Sequence, residues 1–73
     1  MFAYLNLGNA QFESKFFEES IVSFEKAISF DRNFIPGYLN ICRALLKLEK
    51  FDQALKYSDE IIKLDNMAET KSV

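Results

Sequence analysis

The feature of this sequence that most restricts its fold is an internal repeat of 34 residues, the distance from Tyr4 to Tyr38. When the sequence is shifted by that distance, four segments match: residues 4–7 on 38–41, Ala10 on Ala44, residues 17–19 on 51–53, and residues 28–31 on 62–65. A fixed period of this length is typical of architectures in which each repeat is one supersecondary unit that stacks on its neighbour. The chain is therefore predicted to contain the same unit twice.

Each unit is predicted to be a pair of helices. Apolar residues recur three and four positions apart, which is helical periodicity: Tyr4, Leu7 and Ala10; Phe17, Ile21, Phe24, Ala27 and Ile28; Tyr38, Ile41, Cys42 and Leu45; Leu55, Ile61 and Ile62. The pattern breaks near residues 14–16, 31–36 and 49–50, which predicts four helices of about 12 to 15 residues. Pro36 fits a first helical turn, because the N–H that proline lacks has no partner there.

The composition excludes most enzyme chemistry. The chain has no His, one Cys and two Gly. It therefore cannot form a His-based acid–base pair, a Cys/His zinc site, a disulfide within the chain or a glycine-rich phosphate loop. We expect a protein that is not an enzyme and that needs no cofactor or metal.

Charge and hydropathy favour a protein partner. Nine Lys plus Arg against eleven Asp plus Glu give no support for binding to nucleic acid or an anionic membrane. No apolar run approaches the roughly 20 residues that span a bilayer. The single thiol of Cys42 fits a reducing compartment, so we expect a cytoplasmic protein.

The matched positions carry a recognisable set of residues: Tyr4, Leu7, Gly8, Ser20, Phe24 and Ala27 in the first unit, and Tyr38, Ile41, Cys42 and Ala54 in the second. This set resembles the tetratricopeptide repeat (TPR) family, whose 34-residue unit is a helix–turn–helix. The resemblance implies an all-α fold of two tandem repeats, a short right-handed superhelical array of four antiparallel helices. Repeat 1 would span residues 1–34 and repeat 2 residues 35–68, with residues 69–73 as a tail or the start of a truncated capping helix.

The repeat positions also predict the core. Large side chains are expected to fill the space between helices, and small ones to allow close approach of backbones: Tyr4, Leu7, Phe24, Tyr38, Ile41 and Leu45 are the large set, and Gly8, Ser20, Ala27, Cys42 and Ala54 the small set. Lys15 and Glu49 stand where the family commonly has a turn glycine. In repeat 2, Ser58 and Ile61 replace a large and a small residue of repeat 1 in inverted order, which roughly keeps the core volume.

The resemblance implies a protein-protein interaction module whose first helices line a concave groove. Our candidate partner-binding residues are Leu5, Asn9, Phe12, Glu13, Leu39, Asn40, Arg43, Leu46 and Lys47. The asparagines would bond an extended partner backbone, while the leucines and Phe12 would anchor side chains. Together with Phe2, the apolar members of this set are expected to form one exposed strip.

Two alternatives remain open. Some TPR domains clamp the acidic tails of heat-shock chaperones, and Asn9 and Asn40 match clamp positions, but Leu5 stands where that clamp has a lysine. The other alternative is a structural segment that only self-associates. Stacked arrays generally need about three repeats, so we expect an excerpt of a longer repeat protein. We also expect a homo-oligomer, a dimer formed through the strip or through the final helix.

Overall fold

A computed structural model describes the backbone of residues 2–72 and the side chains of residues 2–66. Four helices follow one another: α1 (Phe2–Glu13), α2 (Phe17–Phe30), α3 (Ile35–Lys47) and α4 (Phe51–Ser72). Each helix packs mainly on its neighbours in sequence, and α1 also touches α3. Every regular element between residues 2 and 72 is helical, so the predicted all-α fold is confirmed.

The fourth helix is longer than predicted. It has 22 residues, against the expected length of about 12 to 15. Residues 65–72 contain neither Gly nor Pro, so no strong helix breaker follows the periodic segment. Residues 69–72 thus continue α4, and Val73 lies outside the described residues.

The core lies between α2, α3 and α4. Phe24, Ile41, Leu45 and Ala54 form one buried cluster, against which four half-buried residues pack: Leu5, Ile21, Ile28 and Tyr57. Of the predicted core, the structure buries Gly8, Ser20, Phe24, Ala27, Ile41, Leu45 and Ala54, and it half-buries Tyr4, Tyr38 and Cys42. Phe30 and Phe51, whose helical phase also predicts burial, are instead 66% and 58% exposed. At the repeat positions themselves the core prediction has one error.

That error is Leu7, which the periodicity assigned to the core and which is 48% exposed. Its counterpart in repeat 2, Ile41, is fully buried. The difference follows from the neighbours of the two helices. α3 packs on α2 of the preceding repeat, whereas α1 contacts only α2 and α3 within the described part of the chain. No helix in this structure covers the side of α1 on which Leu7 lies.

Gly8 lets α1 approach α2 closely. A Cβ atom at this position would lie 2.5 Å from Cε1 of Phe24, far closer than two carbon atoms can pack. The Phe24 ring thus occupies the space that a side chain at position 8 would need. In repeat 2 the corresponding residues are Cys42 and Ser58, so the residue that corresponds to Phe24 has no ring.

Both hairpin turns contain a residue in the left-handed region. Lys15 has φ 69° and Glu49 has φ 59°, and these two residues occupy the same repeat position. Each turn closes with the two hydrogen bonds of a Schellman motif: Phe16 N–H to Gln11 C=O at 2.8 Å and Lys15 N–H to Phe12 C=O at 2.9 Å, then Lys50 N–H to Leu45 C=O at 2.9 Å and Glu49 N–H to Leu46 C=O at 3.1 Å. Both turns therefore have the backbone geometry for which the family commonly uses glycine, although neither repeat has a glycine there.

A polar contact joins α2 to α4 at the edge of the core. The Tyr57 hydroxyl donates a hydrogen bond to Oε2 of Glu25 at 3.0 Å. Burial of the phenol, this hydrogen bond and the charge of Glu25 together raise the pKa of Tyr57 to about 12. The folded state consequently holds the phenol proton more tightly than the unfolded state, in which the pKa is near 10.0.

This shift predicts a loss of stability at alkaline pH. The contribution of Tyr57 is complete below about pH 10 and is lost as the pH rises towards about 12, because the unfolded state releases the proton first. Tyr57→Phe should cost about 0.5–1 kcal/mol near neutral pH and should show a smaller alkaline loss than the original chain. Urea unfolding near pH 8 and near pH 11 measures both effects. Equal alkaline losses in the two proteins would contradict the assignment.

Candidate protein-interaction surface

A cleft lies between the first helices of the two repeats. α1 contributes Asn9, Phe12 and Glu13, α3 contributes Asn40 and Arg43, and Phe24 of α2 forms part of the lining. We call this site the α1/α3 cleft. Asn9 and Glu13 lie one helical turn apart, as do Phe12 and Asn9, so the three side chains share one face of α1.

Ring contacts fix the apolar wall of the cleft. The Phe12 ring packs edge-on against Phe17 of α2, with 5.1 Å between the ring centroids. The guanidinium carbon of Arg43 lies 5.8 Å from the centroid of the Phe12 ring, within the range of a cation–π interaction. Phe12 therefore holds the Arg43 side chain at the cleft, where the guanidinium can still donate hydrogen bonds to a ligand.

The two asparagines of the cleft have free hydrogen-bonding capacity. Asn9 is exposed and Asn40 is half-buried. Within residues 2–66, neither side-chain amide makes a hydrogen bond to the protein. An amide carries both donor and acceptor atoms, so the pair can bind the N–H and C=O groups of an extended peptide.

Charges of both signs flank the cleft. Glu13 lies on α1 and Arg43 on α3, and these two residues form no ion pair with each other. The single salt bridge among the described side chains joins Lys63 to Glu60 at 4.0 Å, on an exposed part of α4. The cleft thus presents one carboxylate, from Glu13, and one guanidinium, from Arg43, and each can pair with a group of opposite charge.

The structure brings together five of the nine candidate residues, namely Asn9, Phe12, Glu13, Asn40 and Arg43. Leu5 is half-buried and packs against the core. Lys47 is exposed and does not line the cleft. Leu39 and Leu46 line a different groove. The predicted continuous apolar strip is therefore wrong, because the structure separates its leucines into a core contact and a second surface.

The second surface is an apolar groove between α3 and α4, which we call the α3/α4 groove. It is lined by Leu39, Cys42, Leu46, Phe51, Ala54, Leu55, Ser58 and Ile61. Four of these side chains are large and about half or more exposed: Leu39, Leu46, Phe51 and Leu55. The sequence analysis predicted the final helix as a contact surface, but it did not place Leu55 and Ile61 of α4 in one groove with Leu39 and Leu46 of α3. The 34-residue shift indicates such a groove, because Ile21 and Phe24, the counterparts of Leu55 and Ser58, pack in the core with α3.

Metal-ligating groups, the single thiol and the apolar length of the helices concern other possible functions. Among the described residues, no group of three or more His, Cys, Asp or Glu side chains could hold a metal ion. The Cys42 thiol is half-buried and lies 3.5 Å from the Ala54 carbonyl oxygen, and burial raises its pKa. Burial therefore favours the protonated thiol over the thiolate. In the part of the chain that the structure describes, no helix is long and apolar enough to cross a membrane.

The structure consists of two helical hairpins with the same 34-residue period, stacked in sequence, and a cleft lies between their first helices. This arrangement is that of a helical-repeat protein. Comparison with protein families agrees: the tetratricopeptide repeat family matches residues 3–34 and again residues 35–66. The chain belongs to the tetratricopeptide repeat family, whose members generally serve as protein-protein interaction modules. No curated protein matches the chain.

Proposed function

We propose that this chain is a non-enzymatic interaction module that binds an extended segment of a partner protein in the α1/α3 cleft. The observation that carries this proposal is the placement of Asn9 and Asn40. They come from different repeats, they line one cleft, and their amides bond no other group among residues 2–66. Side-chain amides spaced along a groove are suited to hold a peptide backbone, which presents donors and acceptors at regular intervals.

The other cleft residues have complementary roles in the proposal. Arg43 would pair with a carboxylate of the partner, since its guanidinium is held at the cleft by Phe12 and forms strong charge-assisted bonds. Phe12 would contact an apolar side chain. Glu13 would disfavour acidic residues at its end of the cleft. Leu5, Leu39 and Leu46 have no role in this mode, because they lie outside the cleft.

A cytoplasmic location is part of the proposal. Cys42 is the single cysteine of the chain, so the protein gains no internal disulfide from an oxidising compartment.

The proposal is tested with a library of random peptides displayed on phage and selected on the immobilised chain. Enriched peptides are then synthesised and titrated against the original chain and against the double variant Asn9→Ala/Asn40→Ala. We expect the double variant to bind about 10- to 100-fold more weakly, because it loses the hydrogen bonds of two amides. Its helical circular dichroism should be unchanged.

A matched control uses Asn6→Ala/Asn33→Ala, which removes two exposed asparagines outside the cleft. This variant should bind the selected peptides as tightly as the original chain does. If selection enriches no peptide, or if the enriched peptides bind the Asn9→Ala/Asn40→Ala variant with unchanged affinity, the cleft is not the binding site.

A further inference from the structure

The α3/α4 groove corresponds to a surface that is already occupied in repeat 1. Subtracting 34 from the numbers of Leu39, Leu55 and Ser58 gives Leu5, Ile21 and Phe24. Those three residues belong to the core that packs with Ile41 and Leu45 of α3. In repeat 1 this surface is therefore covered by a helix, whereas Leu55 in repeat 2 is 64% exposed.

At the other end of the molecule, the exposed side of α1 corresponds to the surface by which α3 packs on repeat 1. α3 buries Gly37, Ile41 and Ala44, and the counterparts of these residues on α1 are Ala3, Leu7 and Ala10, all of which are exposed. α1 also has a single charged residue, Glu13, at its end. Covering this helix therefore removes almost no charge from water.

We propose that the α3/α4 groove binds α1 of a second copy of this chain, in the arrangement in which α3 packs on repeat 1. The occupant follows from the molecule itself, because one chain exposes both halves of an interface that it also forms internally between its repeats. Among the described side chains, no charged residue lines the groove, and the exposed side of α1 offers Leu7 and two alanines. The contact thus extends the stacking of repeats from one chain to the next.

This interface is heterologous, since the groove of one copy binds a different surface of the next copy. Such a contact leaves a free groove and a free α1 at the ends of every assembly, and it grows into open chains unless the rotation closes a ring. The new contact also has less apolar side chains at two places. Ser58 and Gln11 stand where the internal contact has Phe24 and Leu45. Less apolar area is buried, so the association is weaker than the internal packing and depends on concentration.

The test measures absolute mass by light scattering from about 10 μM to about 1 mM, for the 73-residue chain and for two variants. Leu7→Glu blocks the α1 half and Leu55→Glu blocks the groove half. Both residues are exposed, so each variant should keep its helical circular dichroism. The original chain should exceed twice the 8.5 kDa monomer mass as concentration rises, and each variant alone should remain a monomer.

An equimolar mixture of the two variants supplies the decisive result. The Leu7→Glu copy retains a groove and the Leu55→Glu copy retains an α1 surface, so the mixture should form a dimer and nothing larger. Val22→Glu is the matched control, because Val22 is 53% exposed and belongs to neither half. It should assemble as the original chain does.

Two outcomes overturn the proposal. If the original chain stays monomeric over the whole range, a second copy does not occupy the groove. If assembly stops at a dimer that Leu7→Glu preserves and Leu55→Glu abolishes, two grooves pair face to face and α1 takes no part. Neither outcome bears on the α1/α3 cleft, whose peptide titrations use other residues.

Discussion

Replacing Phe24 by alanine should lower the free energy of unfolding by about 3–5 kcal/mol. Phe24 is 1% exposed, and its ring contacts elements on both sides of the repeat boundary. It fills the space above Gly8 of α1 and packs in one cluster with Ile41 and Leu45 of α3. Its removal would therefore leave a cavity that weakens the first hairpin and the junction between repeats together.

Urea unfolding followed by circular dichroism measures this loss. At about 0.05–0.15 kcal/mol per residue, a chain of this size has a stability of about 4–11 kcal/mol, so the expected cost is a large fraction of it and the variant should unfold at a much lower urea concentration. Phe51→Ala is the control, since Phe51 is 58% exposed and should cost no more than about 1 kcal/mol. Similar losses for the two variants would show that Phe24 is not central to the core.

Replacing both left-handed turn residues by glycine should stabilise the protein. Lys15 and Glu49 adopt positive φ, a region that costs an ordinary L-residue roughly 1–2 kcal/mol and costs glycine almost nothing. Part of this gain is offset by the greater freedom of glycine in the unfolded chain. We expect about 0.5–1 kcal/mol for each substitution, and nearly additive effects because the turns share no partners.

Thermal unfolding measures the gain, and the double variant should melt several degrees higher, since about 1 kcal/mol shifts the Tm of a domain of this size by roughly 4–8 °C. Lys56→Gly provides the control, because Lys56 is exposed in the interior of α4. There, glycine should destabilise by about 0.5–1 kcal/mol. A double variant that melts no higher than the original chain would mean that the turns carry no backbone strain.

The interaction surface was only partly predictable from the sequence. Asn9, Phe12, Glu13 and Arg43 were selected by the groove positions of the repeat and Asn40 by its match to a clamp position, and all five line one cleft. Leu39 and Leu46 were selected by the same rule and lie in the α3/α4 groove. The repeat position assigns each residue to a face of its own helix. Whether two faces come into contact depends on the angle at which the neighbouring helices cross, and the repeat period of a sequence does not specify that angle.

Sequence alone determined the repeating unit of this protein, a helical hairpin that occurs twice. It also predicted the turns between the helices and the small residues at which the helix backbones approach each other. Periodicity and the 34-residue shift suffice for this, because helix formation and turn chemistry are local. Tertiary structure alone decided which equivalent residues are buried. Ile41 is fully buried and Leu7 is half exposed, although they share one repeat position. Burial depends on the next helix in space, and α3 has such a neighbour where α1 has none in this structure.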